Sequence, residues 1–158
     1  CWLTTIHPSR VGALIGTGGG IDLTPFVRFG FLVGAAFQIQ DDVLNLIGDE
    51  AVYGKELDGD IREGKRTLMI IRLLERADED ERRRVTELLA LSPREREPHV
   101  RWVRARMDAY GCIDYAREVA SGLAGAALAE FDAIYGALPP SRDKEFINEL
   151  VTWVIERT

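Results

Sequence analysis

Two adjacent aspartates, Asp41 and Asp42, stand ahead of two lysines, Lys55 and Lys65, each preceded by a glycine, with Asp60 between the lysines. Hard carboxylate oxygens beside ammonium groups are what a divalent cation and a diphosphate require together, so this pattern points to a metal-diphosphate site. Glycines at 54, 59 and 64 give the intervening backbone the freedom to turn these side chains inward. Other chemistries are poorly served. His7 and His99 have no nucleophile or carboxylate in motif spacing, and the run Gly16 to Gly20 lacks the Lys-Ser/Thr and the preceding strand of a phosphate-binding P-loop. The Glu-x-x-His pairs of a di-iron bundle are absent as well.

The acidic pair must be carried by a helix. Leu32, Ala36, Ile39, Val43 and Leu46 recur at three and four residues, which marks a buried stripe. At ~100° per residue, Gln38, Asp41, Asp42 and Asn45 share the other face. A polar stripe in so apolar a helix is costly unless something binds it. The rest of the chain divides into helices by its start and stop signals, and no alternating strand pattern interrupts them, so the fold class is all-α. Residues 1–7 end one helix, Pro8 restarts another to Thr17, and Gly18 to Gly20 break it. Thr24-Pro25 caps the long helix that ends near Gly48, and residues 49–66 form a loop. Thr67, then Asp78 or Asp80, Ser92 and Ser141 cap helices reaching about Ala77, Leu91, Gly111 and the C-terminus. Residues 112–136 form a helix whose small residues, Ala120, Gly122, Ala124, Gly125, Ala126 and Ala127, favour close packing.

The stretch from Phe37 to Thr67 contains FQIQDD, the Gly54-Lys55 pair and DIREGKRT in one order, about a fifth of the chain. It resembles the second aspartate-rich region of the trans-isoprenyl diphosphate synthases, the polyprenyl synthetase family. Cys1 to Pro8 is similar to the segment that follows the family's Lys-Thr pair. The resemblance implies an all-α bundle of the isoprenoid synthase type and a homodimer. It also implies Mg²⁺-assisted condensation of isopentenyl diphosphate with an allylic prenyl diphosphate, by ionisation, addition and proton loss. Asp41 then matches the direct Mg²⁺ ligand, while Asp42, turned about 100° away, would hold metal-bound water or orient a lysine. Lys55 and Lys65 match the contacts to the allylic diphosphate, and Asp60 a metal support through water. For Gln38 a place near the diphosphate and a buried interhelical amide stand equally open.

The chain departs from the family in two respects. Asn45 occupies the position of the third aspartate in DDxxD, and the loop between the lysines is about one residue longer than in many animal farnesyl synthases. The loop length leans towards the bacterial geranylgeranyl or longer-chain enzymes. Complete members also carry an upstream aspartate-rich motif, which no segment before Asp41 provides. Residues 1–158 are therefore expected to be the C-terminal part of one synthase domain whose N-terminal half is missing, inactive by themselves. A class I terpene synthase and a catalytically silent partner subunit are the rival expectations.

Composition agrees with a globular domain: 46% hydrophobic and 29% charged residues. A net charge of -6 argues against nucleic acid as a partner. The arginines at 82–84, 94, 96, 101, 104 and 106 alternate with acids and read as solvated helix faces. Trp2, Trp102 and Trp153 read as packing residues. No apolar run reaches the ~18 residues of a membrane span. With only Cys1 and Cys112, a reducing, cytoplasmic location is expected.

Overall fold

The computed structural model describes residues 1–48 and 57–157, and among these every regular element is helical, with no strand. The fold class read from the sequence is the one observed. A π-helical turn, Trp2–Ile6, runs without a break into α1, His7–Thr17. Pro8 therefore does not restart a helix as expected. It sits in the first turn of α1. Gly18 closes α1 in the left-handed region, φ 61°, with its N–H on the Leu14 carbonyl.

The long helix α2 spans Thr24–Ile47. Its first turn is capped by Asp22 rather than Thr24, since Asp22 Oδ1 accepts from the Thr24 N–H at 2.9 Å. That hydrogen bond holds the Asp22 carboxyl below its ordinary pKa. The segment read as a loop over 49–66 contains a short helix, α3, Gly59–Glu63. Next come α4, Leu68–Arg76, and α5, Glu79–Ala90. Asp78 caps α5 by accepting from the Glu81 N–H at 2.9 Å, so the choice between Asp78 and Asp80 falls to the first.

The single helix expected from Ser92 to Gly111 is three pieces: α6, Pro93–Arg96, a 3₁₀ turn, Glu97–His99, and α7, Val100–Ala109. Pro98 lies in the middle piece and brings no N–H to an α-helical ladder, which accounts for the division. The chain closes with α8, Cys112–Tyr135, and α9, Arg142–Glu156. Ser141 caps α9, its Oγ accepting from the Lys144 N–H at 3.1 Å.

The contacts divide the chain into two units, Cys1–Gln38 with Val119–Arg157, and Ile39–Glu118. In the first, Phe29, Val33 and Ala36 of α2 pack with Ala124, Ala127 and Phe131 of α8 and Val151 and Val154 of α9. The small-residue pattern of α8 works on one side only: Ala120, Ala124 and Ala127 are buried, whereas Gly122, Gly125 and Ala126 are exposed. Gly30 matters more, because a Cβ there would stand 2.7 Å from Ile6 Cα, so the N-terminal turn lies directly on α2.

The second unit is built around Val43, Leu46, Ile61, Met69, Leu73, Val85, Val103 and Met107. Cys112 is fully buried within it, and burial pushes its thiol up to about 11. Trp2 and Trp153 are half-exposed rather than packed inside, and each carries a guanidinium against its ring, Arg10 and Arg157. Arg84 lies 4.0 Å from the Trp102 ring centroid. No helix among the described residues is long and apolar enough to cross a membrane.

Candidate functional site

The polar face of α2 is graded in depth. Gln38 is exposed, Asp41 and Asp42 are half-buried, and Asn45 is only 6% exposed. The apolar stripe is buried as its spacing predicts, with Ala36, Val43 and Leu46 inside and Leu32 and Ile39 at its edge. Burial at Asn45 requires partners for its amide. Asn45 Oδ1 accepts from the Asp60 N–H at 2.9 Å, and the Asn45 carbonyl accepts from the Asp58 N–H at 2.8 Å. Position 45 thus meets the start of α3 through side chain and backbone together.

This explains how a five-residue helix persists. A helix this short has no stability of its own. It is held because Ile61 is buried in the core at 2% exposure and because Asn45 takes one of the N–H groups that a helix start leaves unpaired. Asp58, at φ 60°, turns the chain into the helix, and Gly64, at φ 72°, turns it out. The exit turn is closed by the Lys65 N–H on the Asp60 carbonyl at 3.0 Å.

Asp60 and Lys65 are brought together by that turn. The Lys65 ammonium donates to Asp60 Oδ1 and lies 3.3 Å from Glu63 Oε2. The Asp60 side chain is 10% exposed and that of Lys65 is 52% exposed, so a buried carboxylate holds a cation that faces solvent. Its hydrogen bond to Asp60 raises the Lys65 pKa, more than the modest desolvation lowers it. Lys55, the other lysine of the motif, lies outside the described residues.

Two arginines expected on solvated faces line this region instead. Arg96 is 3% exposed. Its Nε donates to the Leu88 carbonyl at 2.9 Å, its Nη2 to the carbonyls of Leu89 at 3.1 Å and of Leu91, and its Nη1 to the carbonyl of Arg62. These are peptide oxygens at the C-terminal end of α5 and in α3, where a cation suits the negative end of the helix dipole. Arg104 donates to the Leu46 carbonyl at the end of α2 and lies 3.5 Å from Asp58 Oδ1. Arg106 pairs with Glu81 at 3.0 Å. Counting alternating charges missed Arg96 and Arg104, because peptide carbonyls leave no mark in a sequence. The one available signal was Pro93 and Pro98 on either side of Arg96, which pin the local backbone. Arg62 bonds to Glu97 at 2.8 Å and to the Leu57 carbonyl.

A divalent cation suited to diphosphate takes one or two carboxylates and completes its shell from water and ligand. Among the described residues no three His, Cys, Asp or Glu side chains converge to hold a metal alone. The half-buried carboxylates of Asp41 and Asp42 offer the hard anionic oxygens such an ion needs. The donor set fits it.

The sequence profile of the polyprenyl synthetase family matches residues 4–107. The chain belongs to that family. Among its relatives, the short chain isoprenyl diphosphate synthase of Methanothermobacter thermautotrophicus is 37% identical over 112 residues, covering 71% of this chain and 34% of that protein. The crystal structure of geranylgeranyl pyrophosphate synthetase from Pyrococcus horikoshii superposes with a TM-score of 0.76 at 32% identity, over 98% of this chain and 46% of the other. A geranylgeranyl pyrophosphate synthase from Corynebacterium glutamicum, solved with isoprenyl diphosphate and magnesium, gives 0.76 at 29% identity over 98% and 43%. This polyprenyl synthetase chain thus spans less than half the length of these relatives, and it shares the all-α architecture of the structures that it matches.

Proposed function

We propose that the full-length protein is an isoprenyl diphosphate synthase, which joins isopentenyl diphosphate head-to-tail to an allylic prenyl diphosphate. We read the chain as its C-terminal portion, since it carries the second aspartate-rich region and spans less than half of its relatives' length. The observation that carries the function is the Asp60–Lys65 pair fastened through Asn45 to the helix that bears Asp41 and Asp42. A carboxylate pair and a solvent-facing ammonium on one frame suit a diphosphate with a bridging cation.

The allylic C–O bond breaks with its electron pair leaving on the diphosphate. The allylic cation then takes the double bond of isopentenyl diphosphate, and a proton lost from the adduct restores a neutral alkene. When bound, Mg²⁺ would supply the positive charge that neutralises the departing diphosphate. Asp41 would hold that ion, and Asp42 and Asp60 would support it through water. Lys55 and Lys65 bind the diphosphate as point charges that interact more strongly as negative charge develops. For Gln38, exposed one turn before Asp41, a role near the diphosphate is the reading we retain. The Corynebacterium relative's magnesium and isoprenyl diphosphate support this reading. A homodimer in the cytoplasm completes it.

Full-length protein incubated with labelled isopentenyl diphosphate, Mg²⁺ and allylic acceptors of several lengths should yield longer prenyl diphosphates. Absence of any elongated product overturns the reading, and a cyclised product from one substrate alone assigns the protein to terpene cyclisation instead. Lys65→Ala should raise the allylic KM and lower kcat. A charge-assisted hydrogen bond is worth about 1.5–3 kcal/mol, hence a roughly ten- to hundredfold loss in kcat/KM. Unchanged kinetics in that variant would remove Lys65 from the diphosphate site.

A further inference from the structure

Lys65 hangs on a turn that has almost no helix of its own. The five residues of α3 enter and leave through left-handed positions, Asp58 and Gly64. Two buried side chains from elsewhere in the unit grip that turn at opposite ends. Asn45 takes the Asp60 N–H at its start. Arg96 donates to the Arg62 carbonyl near its end, and its guanidinium fills the space where a Gly64 Cβ would stand, 2.6 Å from Arg96 Cζ. Glycine at 64 thus serves both the positive φ and the close approach of the guanidinium. The other donors of Arg96 are spent on the α5 carbonyls, so the grip on α3 is referred to a long helix.

We propose that Asn45 and Arg96 are positioning residues for Lys65: together they fix the Asp60-to-Lys65 turn so that the ammonium meets the allylic diphosphate. Neither touches substrate. Asn45 serves by the hydrogen bond it accepts rather than as a metal ligand, which accounts for an amide where the family's motif has a third aspartate. A carboxylate could accept the same N–H, so the aspartate and the asparagine are interchangeable for this purpose. Arg96 is not interchangeable with lysine, because only the guanidinium fork reaches carbonyls on two helices at once.

The inference rests on the proposed synthase activity and is tested in full-length protein by separate Michaelis constants for the two substrates. Asn45→Ala and Arg96→Lys should each raise the allylic KM about tenfold and leave the isopentenyl diphosphate KM within about twofold. Asn45→Asp should return the allylic KM to within about threefold of wild type, with an unchanged Mg²⁺ half-saturation. A loss of fold alone would lower the active fraction, and with it kcat, without separating the two KM values. Gly64→Ala disturbs the turn while keeping both holding side chains, and it decides the matter in the same way should either of the other variants fail to fold. An unchanged allylic KM in the folded variants overturns the proposal, as does a Mg²⁺ half-saturation that shifts with the charge at position 45. Wild-type protein without prenyl transfer would instead refute the synthase reading itself.

Discussion

Asp41→Asn in the full-length protein is expected to lower kcat by two orders of magnitude or more, on the order of 3 kcal/mol of transition-state stabilisation. The exchange keeps the size of the side chain and one carbonyl oxygen but removes the anionic charge that a Mg²⁺ ion needs. Asp41 is half-buried on α2, one turn before the buried Asn45, so the amide should be accommodated without loss of fold. The comparison with Asn45→Asp, placed on the same face, makes the test specific: that variant adds a carboxylate yet should remain near wild type. Steady-state rates over a Mg²⁺ titration distinguish the two. If Asp41→Asn kept its rate while changes at position 45 abolished it, the metal would have to bind a different register of this helix, and the ligand assignment would be lost.

Arg96→Leu is expected to cost stability on the order of 3–5 kcal/mol, the largest effect we anticipate away from the acidic pair. The leucine removes the donors that reach the carbonyls of Leu88, Leu89, Leu91 and Arg62. A buried polar group left without a partner costs about 1–3 kcal/mol. The site is 3% exposed, so water has poor access to replace the lost donors. Urea unfolding of the full-length variant measures the loss as a fall in midpoint at constant slope. A change below about 1 kcal/mol would mean that the carbonyls find other donors and that Arg96 is not the fastening described.

The long elements were legible because their signals are local. Asp78 and Ser141 sit just before their helices with side chains on the N–H groups three residues on, as cap residues do. The stripe from Ala36 to Leu46 repeats over enough turns to declare its buried side. The acidic pair and Lys65 were singled out as a candidate site from their motif and its likeness to a family. What escaped was non-local. α3 is too short to show a period, and the partner of its Asp60 N–H lies fifteen residues back along the chain, at Asn45. Arg96 looked like one charge among many, since its value to the fold lies in peptide carbonyls that any residue supplies. The break at Pro98 was the exception, a local signal overlooked because Ser92-Pro93 had already announced a helix.

The frame around α3 also differs from what it holds in its dealings with protons. Arg96 grips the turn with a guanidinium and Asn45 with an amide, and both act on peptide groups of α3, which are not titratable. Lys65 is the titrating member, and its hydrogen bond to Asp60 raises its pKa above the ordinary 10.5. A raised lysine pKa contributes stability that is complete below the ordinary value and disappears only as pH climbs through the higher folded one. Acidity near neutrality therefore reaches neither those peptide groups nor the ammonium, and the cationic end of the turn stays charged.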